Sequence, residues 1–535
     1  MTMYTLTLID VRRIQLYLFS ANELKQCLGG SALVEMATHD WIVDALPSPN
    51  NIQAQKHQIK FGDQTIETLP AEVIFLGGGN AAILFQDGDK AREFAGKYSR
   101  TVLANAPGLE VAVAHVNCDW SRPDGLKMAW KEMQETAMPR QKEGRTASQP
   151  LLGLGVTAEC SFTGLPAVAE VADPDSPERG VLVSSEALAK HSEETIKRAR
   201  SRIKDLIPVQ NYEYPDRFDD LGGEKGRSSY IAVVHADGNS IGKRMQAYCN
   251  DPDNRAMLNK MRAFSEAINN TSTHAMQKVV QWLEKNIHEE AIFDQWYAEE
   301  SVQLKNKMFP VRPIIFGGDD VTFVCDGRLG LALASKFIQE LQDDMMPDGW
   351  PVYACAGVAI VSSHYPFSRA YQLAEELTHE AKNQAREYDK DHARVSLIHW
   401  HISTSGLTRD WDDIKKREFQ NGDLLLRPLA LNHDKDATID RWRTWDVFLK
   451  QVDHFRNKEN DKEKWRFGRN KLKELRDVLR AGREETRKFT ALNSDLPDLD
   501  QPGLEAACTD GWHGGRCVYF DALEVDDFFI LPKEA

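Results

Sequence analysis

A chain of 535 residues is long enough for three or four domains at roughly 150 residues each, and its 42% hydrophobic content suffices for packed cores. No apolar run approaches the ~18 residues that a membrane span requires. The formal charge of −15 speaks against broad, sequence-independent binding to nucleic acid, which needs many Lys and Arg contacts to phosphate, and leaves room for a local basic groove.

The N-terminus lacks the basic start, long apolar middle and small-residue cleavage site of a signal peptide. The eight cysteines form no Cys-x-x-Cys pair, a pattern of reduced thiols rather than of a disulfide framework. A cytoplasmic protein with no membrane partner is the expectation.

Residues 4–10 alternate like a strand, and helix-compatible sequence follows, ending in an apolar-rich stretch at 31–46. A polar loop is expected over 47–70. Strands are expected at 72–76 and 81–85 around a turn at 77–80, then a helix at 90–104 and a strand at 109–116. The order β-α-β-β-α-β is that of a ferredoxin-like unit.

The same order recurs. Residues 230–236 are apolar but for His235, which predicts a central strand buried on both faces. An insertion-like segment at 250–255 precedes a helix at 261–283. Strands at 313–316 and 321–325 flank Gly317-Gly318-Asp319-Asp320; a helix at 331–341, a strand at 352–361 and an amphipathic helix at 368–386 complete the unit. The fold class is therefore α+β: two ferredoxin-like, palm-type domains, as in nucleotidyl cyclases, with an α-rich C-terminal domain. The expected boundaries are 1–140 for a degenerate first palm, 141–228 for a connecting region, 229–405 for a catalytic second palm and 406–535 for the helical part. Hairpin aligns with hairpin: Gly77-Gly78-Gly79-Asn80 against Gly317-Gly318-Asp319-Asp320. The first copy has no carboxylate at its two tip positions.

The chemistry sits in the second copy. Transfer of a nucleotidyl group through two Mg²⁺ (or Mn²⁺) ions ~3.5–4 Å apart needs oxygen ligands that converge on one point. Asp237 ends the apolar strand and Asp319 and Asp320 occupy the hairpin tip, so the three are the expected catalytic metal ligands, with the Gly238 carbonyl as a further one. Asn239, Ser240, Ile241 and Gly242 begin a helix whose free N–H groups would face a triphosphate. Gly317 and Gly318 would line the same nucleotide. Lys382 and, one turn on, Arg386 extend from the last helix toward the terminal phosphates. His235 shares a face with Asp237 by strand alternation, and a packed, hydrogen-bonded ring is its preferred reading.

These residues resemble the CRISPR polymerases, the large subunits of type III CRISPR effector complexes and their stand-alone relatives. The resemblance runs through Ala236-Asp237-Gly238-Asn239-Ser240-Ile241-Gly242, Gly317 to Asp320, Ala356-Gly357-Val358-Ala359, His364-Tyr365-Pro366 and Ala381-Lys382. In the first copy it is carried by Ile14-Gln15 and by Leu28 to Leu33, and it covers roughly residues 1–400. It implies a synthase of cyclic oligonucleotide second messengers in antiviral defence, with ATP as the expected substrate, and places Gly30 and Ser31 near an acceptor nucleotide. The chain departs from the family in having Asn239 where Asp is common, a neutral and weaker magnesium ligand, and in lacking the paired-cysteine zinc site of many relatives. It also starts its palm-like strand at Tyr4 where many large subunits carry a nuclease domain.

Three functions follow as expectations: a Mg-dependent nucleotidyltransferase making a cyclic di- or oligonucleotide; an RNA-guided effector subunit with a structural palm; and a diguanylate-cyclase-like enzyme. RNA, an accessory protein or a second copy of the chain are compatible partners. Cys508, His513 and Cys517 supply three zinc-ligand types without the usual pair spacing, so a packed Gly-rich loop is preferred. The basic stretch 466–476 is interleaved with Asp and Glu and reads as a solvated helix.

Overall fold

The computed structural model describes residues 2–533 except 56, 144–154, 173–179, 222–228, 297–299, 405–408 and 457–467. The connecting region expected at 141–228 and the basic stretch 466–476 lie partly outside the described residues.

The first unit begins with β1 (Met3–Arg12), followed by α1 (Ile14–Leu18), α2 (Leu24–Thr38) and α3 (Asp40–Ala45). After a small hairpin, β2 (Ile52–Gln55) and β3 (Gln58–Phe61), come β4 (Ala71–Gly77), β5 (Asn80–Phe85), α4 (Gly88–Asn105) and β6 (Glu110–Asp119). The β2–β3 hairpin corrects the expected loop at 47–70: Ile52, Ile59 and Phe61 supply an apolar side that packs on the core, within otherwise polar sequence. The sheet order is β4-β5-β1-β6 with every neighbour antiparallel, the arrangement of a split β-α-β unit.

Helix α5 (Gly125–Glu132), one π-helical turn (Met133–Ala137) and α6 (Met138–Glu143) follow the first sheet. Within the region expected to connect the palms, β7 (Ala169–Ala172) and β8 (Gly180–Val183) form a hairpin and α7 (Ser185–His191) and α8 (Glu193–Leu206) pack on α2. The approach is close: a Cβ on Gly29 of α2 would lie 1.9 Å from the carbonyl oxygen of Lys190.

The second unit comprises β9 (Tyr230–Gly238), α9 (Ile241–Tyr248), α10 (Asn254–Lys285), a small hairpin of β10 (Ala291–Phe293) and β11 (Ser301–Gln303), β12 (Val311–Ile315), β13 (Asp320–Asp326), α11 (Gly330–Glu340), β14 (Ala354–Ser362) and α12 (Phe367–Tyr388). Two more strands, β15 (Val395–Ile402) and β16 (Leu429–His433), extend the sheet to β12-β13-β9-β14-β15-β16. Its first four positions repeat the order of the first sheet. Strand β15 runs parallel to β14, and β16 joins from beyond residue 405, past the boundary expected from sequence. As expected, β9 is central. Ala232, Val234 and Ala236 share a core with α10 and α11, while Ile231 and Val233 share one with α12. Gly357 on β14 lets α12 lie directly on the sheet, since a Cβ there would meet the Ala374 carbonyl oxygen at 2.0 Å.

Helix α10 joins the two sheets. It has 32 residues, about 48 Å at 1.5 Å per residue, and starts seven residues before the expected position 261, capped by Asp253, whose carboxylate accepts from the Ala256 N–H. Met257, Leu258 and Met261 of its first turns belong to the core of the first sheet; Phe264, Ile268, Met276, Val279 and Leu283 belong to that of the second. Arg255 and Arg262 converge from α10 on Glu72 of β4, a wholly buried carboxylate that also accepts from the Ile66 N–H.

The chain ends in α13 (Trp411–Glu418), α14 (Trp445–Arg456), α15 (Arg469–Ala481), α16 (Arg483–Leu492), α17 (Ala507–Asp510), a minimal hairpin of β17 (Trp512–His513) and β18 (Arg516–Cys517), and α18 (Phe520–Glu524). Buried Arg427, just before β16, pairs with Asp521 and Glu524 at 2.6 Å each and ties this part to the second sheet. Among the described residues, no helix is long and apolar enough to cross a membrane.

Glu72→Ala removes the buried carboxylate that Arg255, Arg262 and the Ile66 N–H share, so we expect a loss of about 2–3 kcal/mol in the urea denaturation of the protein. A loss below ~1 kcal/mol would show that the pairing does not hold α10 to the first sheet.

Candidate active site

The hairpin between β12 and β13 turns on Gly317 and Gly318, at φ of 101° and 91°, a left-handed region open to glycine. That turn sets Asp320 opposite Asp237 in the antiparallel register, and the Gly238 N–H donates to the Asp319 carbonyl at 3.0 Å. Three carboxylates thus stand at one end of two neighbouring strands, β9 and β13.

Their charge is uneven. Lys382, on α12, ion-pairs with Asp237 and donates to the Gly238 carbonyl at 3.0 Å. Asp319 stands exposed at the tip, yet crowding by protein and then the Asp237 and Asp320 charges raise its carboxyl to about 6. His235 is buried beneath the cluster, edge-on to Tyr371; its Nδ1 lies 3.2 Å from the Thr322 hydroxyl and 3.3 Å from Asp320 Oδ1. Burial opposes charge on this ring, but Asp320 and then Asp237 outweigh it and hold its pKa above the ordinary value. The ring is packed, as the sequence suggests, and it also neighbours the carboxylates.

Other sequence candidates divide. Ser240 is the left-handed N-cap of α9 at φ 56°, and Ile241 and Gly242 line a cavity of about 430 Å³ together with Gly318 and Asp319. Gly317, Asp319, Asp320 and Ser31 line a second cavity of about 450 Å³ on the other side of the hairpin. Ser31 spends its hydroxyl there on the Ile314 carbonyl, at 2.6 Å.

Asn239, Gly30 and Arg386 make contacts that the sequence did not suggest. The Asn239 side chain is buried and donates to the carbonyls of Ala393 (3.2 Å) and Val395 (2.8 Å), fastening the end of β9 to the entry of β15. Gly30 is a packing glycine, where a Cβ would lie 3.3 Å from Leu18 Cα. Arg386 is exposed and bonds Asn383 of its own helix at 2.8 Å. Cys508, His513 and Cys517 likewise separate: Cys508 faces the Pro497 carbonyl, His513 meets Trp442 edge-on, and burial pushes the Cys517 thiol up to about 12.

Several contributors were not apparent from sequence patterns. The two hairpins face one another, with the Gly318 Cβ direction 3.5 Å from Gly78 Cα and Asn269 of α10 set between the tips. Arg202 of α8 donates to the Phe316 carbonyl at 3.0 Å, stacks over the Phe316 ring and lies 4.0 Å from buried Glu35. Burial works against ionising Glu35, but His57, Arg202 and Arg198 bring its carboxyl down to about 2. The first copy also keeps a relic. Asp10 pairs with Asn80 across β1 and β5 as Asp237 pairs with Asp320, and Lys142 ion-pairs with Asp10 as Lys382 does with Asp237. Alignment of the two strand ends carries that signal in the sequence.

Residues 230–392 match the family model described as Cas10/Cmr2, second palm domain. No curated protein matches the chain in sequence. The fold is similar to that of a chain in the crystal structure of the Csm1–Csm4 cassette in complex with pppApA, at 12% identity over 99% of this chain and 70% of that one, with a TM-score of 0.54. The cassette in complex with pppApApA gives 13%, 98%, 69% and 0.53, and that in complex with AMPPNP 14%, 98%, 69% and 0.52. At such identities the likeness is one of fold. Together with the palm match it supports the resemblance to the CRISPR polymerases.

Asn239→Asp, a change toward the commoner residue of that family, places a carboxylate against two carbonyl oxygens. We expect it to cost about 1–3 kcal/mol in thermal or urea denaturation and to leave Mn²⁺ affinity unchanged. A tighter Mn²⁺ site with unchanged stability would return Asn239 to the ligand set.

Proposed function

We propose that the chain is a nucleotidyltransferase that couples NTPs, with ATP as the expected substrate, into a cyclic di- or oligonucleotide. The observation that carries this reading is the Asp237–Asp320 register with Asp319 at the tip, in a stretch that matches a Cas10/Cmr2 palm. Cytoplasmic antiviral signalling and an accessory protein subunit are further parts of the proposal, drawn from the family resemblance and the likeness to Csm1–Csm4 cassettes. A homodimeric diguanylate-cyclase arrangement is disfavoured, because one chain already brings two hairpins face to face.

The donor set suits magnesium: carboxylates and the Gly238 carbonyl are hard oxygen ligands, and the Lys382 ammonium already sits where Asp237 and Gly238 converge. Among the described residues, no three His, Cys, Asp or Glu side chains are gathered at metal-binding distances, and Lys382 is what holds Asp237. Asp237, Asp319 and Asp320 would hold the ions, which when bound activate the attacking hydroxyl and offset charge on the leaving pyrophosphate. In the reaction, the 3′- or 2′-hydroxyl oxygen of one nucleotide bonds to the α-phosphorus of the next. The bond from that phosphorus to the bridging oxygen breaks; pyrophosphate and the hydroxyl proton depart. Lys382 would exchange Asp237 for the triphosphate, and the N–H groups at the start of α9 would orient it. The glycine turn lets substrate approach the hairpin backbone closely.

With each NTP and Mg²⁺, supplied with activating RNA and subunits where needed, we expect pyrophosphate and a cyclic product from the wild type and none from Asp319→Ala/Asp320→Ala. Product that persists in the variant overturns the assignment. Lys382→Met should lower turnover by about 100-fold, a loss typical of a removed charge-stabilising donor. It should also tighten Mn²⁺ binding measured without nucleotide, since Asp237 loses its competing ammonium. From about pH 7.5 to about pH 5.5 Mn²⁺ affinity should weaken by about 4-fold as Asp319 gains a proton, and His235, gaining charge as pH falls, acts in the same direction.

A further inference from the structure

The 430 Å³ cavity beside Asp319 does not end there. Trp130, Gln134, Gly242 and Met245 also line a second hollow of about 700 Å³, which runs outward between α5, the π-helical turn and α9 over Met257 and Met261 of α10. Lys127, Lys131 and Lys243 stand exposed along it against a single acid, Glu135. Lys131 meets Glu135 only loosely, at 4.0 Å. In a chain of net charge −15 such a run of cations is a local field of the opposite sign. The walls are apolar and polarisable: Met128 is 48% exposed, and half-buried Trp130, edge-on to Phe75, lines the hollow. One π-helical turn, Met133–Ala137, supplies Gln134 and Glu135 to the wall; such turns are costly in a helix and frequent at functional positions.

We propose that this groove holds the phosphodiester chain of the growing oligonucleotide after it leaves the coupling site, with phosphates on Lys127, Lys131 and Lys243 and bases against Trp130 and Met128. The inference rests on the nucleotidyltransferase reading. Cations along a track with an aromatic and thioethers between them are the chemistry that binds single-stranded nucleic acid without choosing its sequence. Size agrees. A hollow of about 430 Å³ lies within the range for one small-molecule ligand, and 700 Å³ continuous with it admits more. The groove begins at Asp319, so a chain extended there enters it without crossing bulk solvent.

The test compares wild type with Lys127→Ala/Lys131→Ala/Lys243→Ala, three exposed positions whose loss leaves the fold intact, checked by an unchanged melting temperature. The probes are linear triadenylate bearing a 5′-triphosphate and a non-hydrolysable ATP analogue, each titrated at constant salt. We expect trinucleotide affinity to fall by about 10-fold or more and analogue affinity to stay within about 2-fold, as lost phosphate contacts dictate. Products longer than the dinucleotide should decline while the first coupling persists. Equal trinucleotide affinity in both proteins, or no trinucleotide binding by the wild type, overturns the groove. If the wild type binds trinucleotide through these lysines but couples no NTP, the enzymatic reading fails and the groove is retained as an oligonucleotide site.

Discussion

Three like charges gathered at one end of two strands are the constraint on which this structure depends. Antiparallel register forces Asp237 against Asp320, and a left-handed glycine turn delivers Asp319 beside them. Like charges so placed repel one another, the more strongly where protein excludes water. The surroundings answer it with basic side chains from two sides. Lys382 comes down from α12 onto Asp237, and His235 lies beneath, held in a charge-favouring site by Asp320. Burial first, and the repulsion of Asp237 and Asp320 after it, raise the carboxyl of Asp319.

Such a cluster tolerates little movement, and the rest of the fold restricts it. Gly357 admits α12 onto the sheet closely enough for Lys382 to reach. Arg202 grips the Phe316 carbonyl and ring just before the glycine turn and is itself braced by Glu35 of α2. The region between the palms is therefore more than a tether: α8 links a helix of the first unit to the hairpin of the second. Helix α10 does the same on a larger scale, with one half in each core and Asn269 between the two tips.

The two units share strand order and differ at the hairpin tip. The first has Gly79 and Asn80 where the second has Asp319 and Asp320, but Asp10 and Lys142 preserve a carboxylate and ammonium pair in the corresponding place. Without charge at its tip, the first hairpin approaches the second closely, and the two cavities open on either side of the junction.

Local pattern determined much of this. The largely apolar run at 230–236 marks a strand buried on both faces, and period-2 stretches around Gly-rich turns mark both hairpins, because those signals depend on neighbours in sequence. The three aspartates were legible for the same reason: a strand end and a turn tip are local features, and register brings them together. Tertiary structure decided what depends on contacts distant in the chain. Asn239 reads as a ligand beside Asp237, yet its amide is turned to Ala393 and Val395, more than 150 residues away. Arg386 lies one turn from Lys382 and points to solvent, while Arg202, in a stretch with no motif, reaches the hairpin. Sequence spacing fixes the face of a strand or helix on which a residue stands; which body that face meets is set only when the sheets pack around α10.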